Sequence, residues 1–112
     1  LTTALPVAGL GGATAIGAGT GHSCALLDDG SVHCWGRNFV GELGRDTWGE
    51  DEVEPAPVVD TGDVRALSIG AGTHSCTLHD DGKARCWGEN ANGELGDGTT
   101  LNRNEPVEVV GL

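Results

Sequence analysis

The strongest constraint on this chain is that it repeats itself. Gly19-Thr20-Gly21-His22-Ser23-Cys24 returns as Gly72-Thr73-His74-Ser75-Cys76, and Leu27-Asp28-Asp29-Gly30 as His79-Asp80-Asp81-Gly82. Cys34-Trp35-Gly36-Arg37-Asn38 returns as Cys86-Trp87-Gly88-Glu89-Asn90, and Gly41-Glu42-Leu43-Gly44 as Gly93-Glu94-Leu95-Gly96. Cys76 follows Cys24 by 52 positions, and Gly96 follows Gly44 by the same 52. A period of this length marks a stack of supersecondary units, each too small to bury its own apolar face. A third fragment, Leu5-Pro6-Val7, resembles Ala56-Pro57-Val58 and Glu105-Pro106-Val107. The chain is thus expected to divide into the tail strand of a preceding repeat (1–12), repeat 1 (13–62) and repeat 2 (63–112).

Each unit reads as β, and the fold class as all-β. Ser23 to Leu27 and Ser31 to Trp35 are short runs around Asp28-Asp29-Gly30. A three-residue loop with Gly last suits a type I turn closed by a left-handed residue. A further strand is expected at Ala13–Ile16, matched by Arg65–Ile69. The Pro-Val segments suit edge or outer strands, because proline cannot donate to a ladder. No useful length shows helical periodicity. Twenty glycines among 112 residues, without a collagen-like period, fit many tight turns.

Folding the hairpin about Asp29 sets Leu27 against Ser31, Leu26 against Val32, Ala25 against His33 and Cys24 against Cys34. The same count sets Cys76 against Cys86. Opposed residues of a non-hydrogen-bonded antiparallel pair stand about 4.5 Å apart, within reach of a disulfide. Two cross-strand disulfides are therefore expected, Cys24–Cys34 and Cys76–Cys86, which implies an oxidising compartment: extracellular, periplasmic or cell-surface. Two other readings stay open. The four thiols could be reduced and simply apolar. Or His22, Cys24 and Cys34, like His74, Cys76 and Cys86, could offer three metal ligands, one short of a closed zinc site and without CxxC spacing. No metal is expected.

Charge narrows the partners. Six Lys and Arg stand against 17 Asp and Glu, for a net charge of −11. Nucleic-acid binding needs a basic face, and the six basic residues are scattered. No stretch approaches a membrane span, and no basic-then-apolar leader opens the sequence, so no membrane insertion is expected.

Catalytic and cofactor motifs are also missing. Gly17-Ala18-Gly19 and Gly70-Ala71-Gly72 lack the Lys-Ser/Thr of a phosphate loop and are read as turns, with no cofactor. His22-Ser23 and His74-Ser75 are strand neighbours that point to opposite faces, so neither is a dyad within itself. Trp35 and Trp87 recur at one repeat position, which favours packing between units. Asp28-Asp29 and Asp80-Asp81 are explained by the turns. The connection after Gly44 is three residues longer than its counterpart after Gly96. It holds Trp48 and the acidic run Glu50-Asp51-Glu52, the candidate partner contact, with a Trp48 folded back to cap its own loop as the alternative.

The string from His22 to Gly44, and its copy from His74 to Gly96, resembles the regulator of chromosome condensation repeat. The carriers are His-Ser, Asp-Gly, Trp-Gly-x-Asn and Gly-x-Leu-Gly; Glu42 and Glu94 stand where the family usually has Gln. The paired cysteines look like its bacterial, exported branch. The resemblance implies a β-propeller of four-stranded blades, and a disc that binds another protein by its loops. Two blades leave faces and edges open, so the chain is expected to be part of a larger or multi-chain propeller-like assembly. The function expected is a non-catalytic, extracytoplasmic protein-interaction or structural module, its partner another protein or further copies of itself. A self-assembling surface or fibre subunit, and a secreted enzyme or enzyme inhibitor of propeller type, are the alternatives.

Overall fold

The computed structural model describes residues 12–69 and 72–110. They form eight strands: β1 (Ala13–Ala18), β2 (His22–Leu27), β3 (Val32–Gly36), β4 (Glu52–Pro57), β5 (Val64–Ile69), β6 (His74–His79), β7 (Ala84–Gly88) and β8 (Arg103–Glu108). Two four-stranded antiparallel sheets result, ordered β1-β2-β3-β4 and β5-β6-β7-β8. Each repeat is one meander. The expected tail strand at Leu5-Pro6-Val7, within 1–12, lies outside the described residues but for Gly12, as do Gly70 and Ala71.

The hairpin register is the one that the turn dictates: Leu26 faces Val32, Ala25 faces His33 and Cys24 faces Cys34. Leu78–Ala84, Thr77–Arg85 and Cys76–Cys86 repeat it. The turn explains the Asp-Asp-Gly string. Leu27 N–H donates to Ser31 O at 2.9 Å and Gly30 N–H to Leu27 O at 3.0 Å. Gly30 has φ +83°, and a Cβ there would stand 2.5 Å from Gly62 O. The second Asp caps the loop: Asp29 Oδ1 accepts from Ser31 N–H at 2.9 Å, and Asp81 Oδ1 accepts from Lys83 N–H at 2.9 Å. Gly36 has φ +110°, at a register shift in the β3–β4 pairing.

Two strand assignments need correction. Gly17-Ala18 is the end of β1, not a turn. The strand runs on because Gly17 faces the other sheet: a Cβ there would meet Ile69 Cβ at 3.2 Å. The outer strands also start earlier than the Pro-Val pattern suggests, at Glu52 and Arg103, and β4 ends at Pro57. Val58 then folds into the core, its N–H donating to Val32 O at 2.7 Å.

The core lies between the sheets. It joins Cys24, Leu26, Val32, Cys34, Leu43 and Val58 of the first sheet's unit to Val64 and Trp87 of the second, with Leu67 and Ile69 packed against it. Burying these side chains between units, rather than within one, makes each sheet's stability depend on its neighbour.

Candidate functional site

The cysteines are joined as the register requires. Cys24–Cys34 has S–S 2.02 Å and Cys76–Cys86 2.09 Å, both with Cα–Cα 4.1 Å. The sulfurs that a metal with His22 or His74 would need are therefore bonded to each other. The two bonds differ in surroundings. Cys24 and Cys34 are buried between the sheets, while Cys76 is half-buried on the outer face of the second.

The repeated His-Ser pair works across the units. His22 Nε2 lies 2.7 Å from Ser75 Oγ, both buried. Strand geometry keeps His22 and Ser23 on opposite faces, and that is what lets His22 reach the serine of the next sheet. Its Nδ1 is buried and has no hydrogen-bond partner among the described residues. Burial, and then the nearby positive charge of His74, lower the His22 pKa from 6.5 to about 4. The folded state thus holds the neutral ring. Because the folded pKa is depressed, the contribution of this ring to stability is full above pH 6.5 and is lost as pH falls from 6.5 through 4. The linkage amounts to about 3 kcal/mol. Urea unfolding across this range is expected to show that loss, and His22→Gln to flatten it. An unchanged slope in the variant would place the acid sensitivity elsewhere.

A second polar chain belongs to repeat 2 alone. Asp63 Oδ1 lies 2.7 Å from His79 Nδ1, and His79 Nε2 lies 2.8 Å from Thr77 Oγ1. The first unit has Leu27 and Ala25 at the positions of His79 and Thr77. The order Asp–His–Thr resembles a nucleophilic triad, yet Thr77 is 2% exposed and His79 0%. A hydroxyl so enclosed meets no substrate, and the chain acts as a staple between β5 and β6.

The Trp-Gly-x-Asn and Gly-Glu-Leu-Gly motifs prove to be scaffolding. Trp87 is fully buried, and its Nε1–H donates to Glu42 O of the other unit at 2.8 Å. Trp35, at the same repeat position, is half-buried. Asn38 Oδ1 and Asn90 Oδ1 accept from Leu43 N–H (3.2 Å) and Leu95 N–H (3.0 Å), holding each following loop. Glu42 Oε1 accepts from Val40 N–H at 2.7 Å, and Glu94 Oε1 from Asn92 N–H at 2.8 Å. Asp97 anchors the last loop. Burial alone would raise its pKa, but hydrogen bonds from Thr99, Arg103 and Asn90 outweigh that and hold it at about 2.

The long acidic connection has a defined seat. Arg45 reaches back to Glu54 O at 2.8 Å, and Asp46, at φ +63°, donates its N–H to Asn104 O of the second unit at 2.9 Å. The loop of repeat 1 therefore laps onto β8. Trp48 is 51% exposed and, with Asn102 to Val107, lines a cleft of about 300 Å³. Glu50 and Asp51 are exposed beside it, while Glu52 opens β4 and pairs with Gly36. Glu105, in the cleft, is hydrogen-bonded to Asp46, which raises its carboxyl above the ordinary value. Nothing in the sequence placed β8 under this loop.

The comparisons fit this architecture. The regulator of chromosome condensation (RCC1) repeat profile matches residues 13–42 and 64–94, and a second profile of that repeat matches residues 29–78. Regulator of chromosome condensation from Drosophila melanogaster is 36% identical over 108 residues, covering 94% of this chain and 20% of that protein. The chain thus spans about a fifth of that relative's length. Human WBSCR16 superposes with TM-score 0.80 at 22% identity, over 94% of this chain and 28% of its own. Yeast RCC1 (Prp20), solved bound to Kap60, superposes with TM-score 0.72 at 23% identity, over 86% and 22%. The profile matches, and two four-stranded sheets packed through Trp87, each carrying the repeat's motifs, place this chain in the regulator of chromosome condensation (RCC1) repeat family, as two blades of the propeller type.

Proposed function

We propose that this chain is a non-catalytic, extracytoplasmic protein-interaction module whose partner contact is Trp48 with Glu50, Asp51 and Glu52. The observation that carries the reading is the seat of Trp48. It is a half-exposed indole, without a counterpart in repeat 2, on the longer of the two equivalent loops, poised over a cleft rather than folded into the core. An exposed aromatic beside a cleft is the usual form of a binding anchor. The acidic run and Glu105 around it, and the net charge of −11, suit a cationic protein segment. The two disulfides support an oxidising compartment. The enclosed Thr77 and Ser75 hydroxyls support a role without catalysis.

The test is binding to an array of lysine- and arginine-rich peptides that each carry one aromatic or aliphatic anchor. Trp48→Ala is expected to weaken the best binder by roughly thirtyfold, about 2 kcal/mol. Glu50→Gln with Asp51→Asn is expected to slow association and reduce its salt dependence. Equal binding by the native chain and Trp48→Ala would remove the reading.

A further inference from the structure

We infer that the Trp48 cleft is a socket for one lysine side chain of the partner, whose stem lies along the indole and whose ammonium bridges the carboxyl groups of Glu105 and Asp46. The inference rests on the binding role proposed for Trp48 and names the group that the cleft receives. The cleft lies at the junction of the two repeats, and described residues form both of its walls. One wall is Trp48 of the first repeat, and the other is the stretch 102–107 of the second. Asn38 fixes the first wall. Its Nδ2–H donates to Thr47 Oγ1 at 2.8 Å, and its O accepts from Gly49 N–H at 2.8 Å. Trp48 is thus pinned on both sides, so little ordering is left to be done on binding.

The apolar part of the cleft is Trp48 with Pro106 and Val107, and its charged part is a carboxyl pair drawn from both repeats. Glu105 lines the cleft and is hydrogen-bonded to Asp46. That hydrogen bond first, then the charge of Asp46, burial and the charge of Asp60, hold the Glu105 carboxyl above its ordinary value of 4.5. Two like charges so close keep a proton between them where a counter-ion is missing. The neighbouring cations of the chain are engaged elsewhere. Arg103, in the cleft, is bonded to Asp97 Oδ2 at 2.9 Å and Thr99 Oγ1 at 3.2 Å. Arg45, beside Asp46, donates to Cys34 O and Glu54 O. Among the described residues no three His, Cys, Asp or Glu side chains are grouped to hold a metal ion, which favours an organic cation. A compact ammonium with three donors bridges two carboxylates, whereas a guanidinium fork matches one. The indole face attracts the cation, and the apolar stem of a lysine covers Trp48, Pro106 and Val107. Above the raised value of Glu105 the pair is unprotonated and binding is full. Below it each ammonium displaces one proton to solvent, so affinity falls by up to about tenfold per pH unit.

Calorimetry on the oxidised chain tests this, with the best lysine-containing peptide of the array as probe, between about pH 7.5 and about pH 4.5. Changing that lysine to arginine is expected to weaken binding at least about tenfold, and changing it to acetyl-lysine or norleucine at least about thirtyfold. These comparisons use the native chain and need no variant. Binding is expected to weaken toward low pH and to release a proton there, read from the dependence of the heat on the buffer's ionisation enthalpy. Asp46→Asn with Glu105→Gln removes both charges and keeps the side-chain shapes, and an unchanged urea midpoint confirms its fold. It is expected to lose the lysine preference and the pH dependence. Glu50→Gln with Asp51→Asn is expected to keep both. Binding that needs Trp48 but does not prefer lysine to arginine overturns this inference and leaves the wider reading standing. So does a lysine preference that survives in the Asp46 and Glu105 variant. Equal binding by the native chain and Trp48→Ala, or no binding of any lysine peptide, overturns both.

Discussion

Trp87→Ala is expected to lower the unfolding free energy by about 4–5 kcal/mol, and Trp35→Ala by less than half of that. The two tryptophans share a motif, a strand position and a preceding disulfide cysteine, so sequence alone gives no reason to separate them. The structure does. Trp87 is fully buried in the core between the sheets, and Trp35 is half-buried on an outer face. Truncating a buried Trp costs about 3–5 kcal/mol, the spread depending on how far the site collapses. Collapse is limited here, because two rigid sheets form the walls. Gly44 shows how closely they fit: a Cβ on it would lie 2.8 Å from both Trp87 Nε1 and Val58 Cγ1. The variant also orphans Glu42 O, which now accepts the indole N–H at 2.8 Å. Trp87→Phe keeps most of the apolar area and drops that bond, so it should cost about 1–2 kcal/mol. Urea midpoints provide the measurement. Equal losses at Trp35 and Trp87 would show that the contact between units is not what stabilises the fold.

That asymmetry marks the boundary of what the sequence discloses. Within a repeat, two local rules suffice: side chains alternate along a strand, and Asp-Asp-Gly fixes the turn. Together they determine that Cys24 faces Cys34, and the second copy checks the count. Between repeats neither rule applies. The stacking of one sheet on the next decides that His22 meets Ser75 rather than any other neighbour, and no spacing in the chain encodes it. Gly17 misleads for the same reason. A glycine that reads as a turn is a strand residue kept small because Ile69 of the other sheet lies against it. The Asp63–His79–Thr77 chain did leave a trace, since the second copy carries His79 and Thr77 where the first has Leu27 and Ala25. Departures from the repeat, rather than the repeat itself, were the signal. Trp48 is the other departure, and its position over β8 needed the structure.

Reducing both disulfides is expected to bring the chain close to its unfolding midpoint. Each bond links cysteines separated by 10 residues in sequence. Loop-closure entropy for such a short loop is worth about 3 kcal/mol, and two bonds about 5–6 kcal/mol. Small domains have only about 5–15 kcal/mol in all. The losses should be unequal and ordered. Cys24 and Cys34 are enclosed by the contact between sheets, so a reductant reaches them only when that contact opens. Cys76 is half-buried on an outer face and is attacked from the folded state. Graded dithiothreitol with thiol labelling and mass spectrometry should therefore trap a species with Cys76 and Cys86 labelled and Cys24–Cys34 intact. Cys76→Ala with Cys86→Ala should cost about 3 kcal/mol. Cys24→Ala with Cys34→Ala should cost about 1–2 kcal/mol more, because it also opens a void in the core. Simultaneous reduction of both bonds would refute the ordering, and a reduced chain with an unaltered urea midpoint would refute the stabilisation. An unaltered midpoint would also remove the support that the disulfides lend to the proposed oxidising compartment, since a fold indifferent to its disulfides has no need of one.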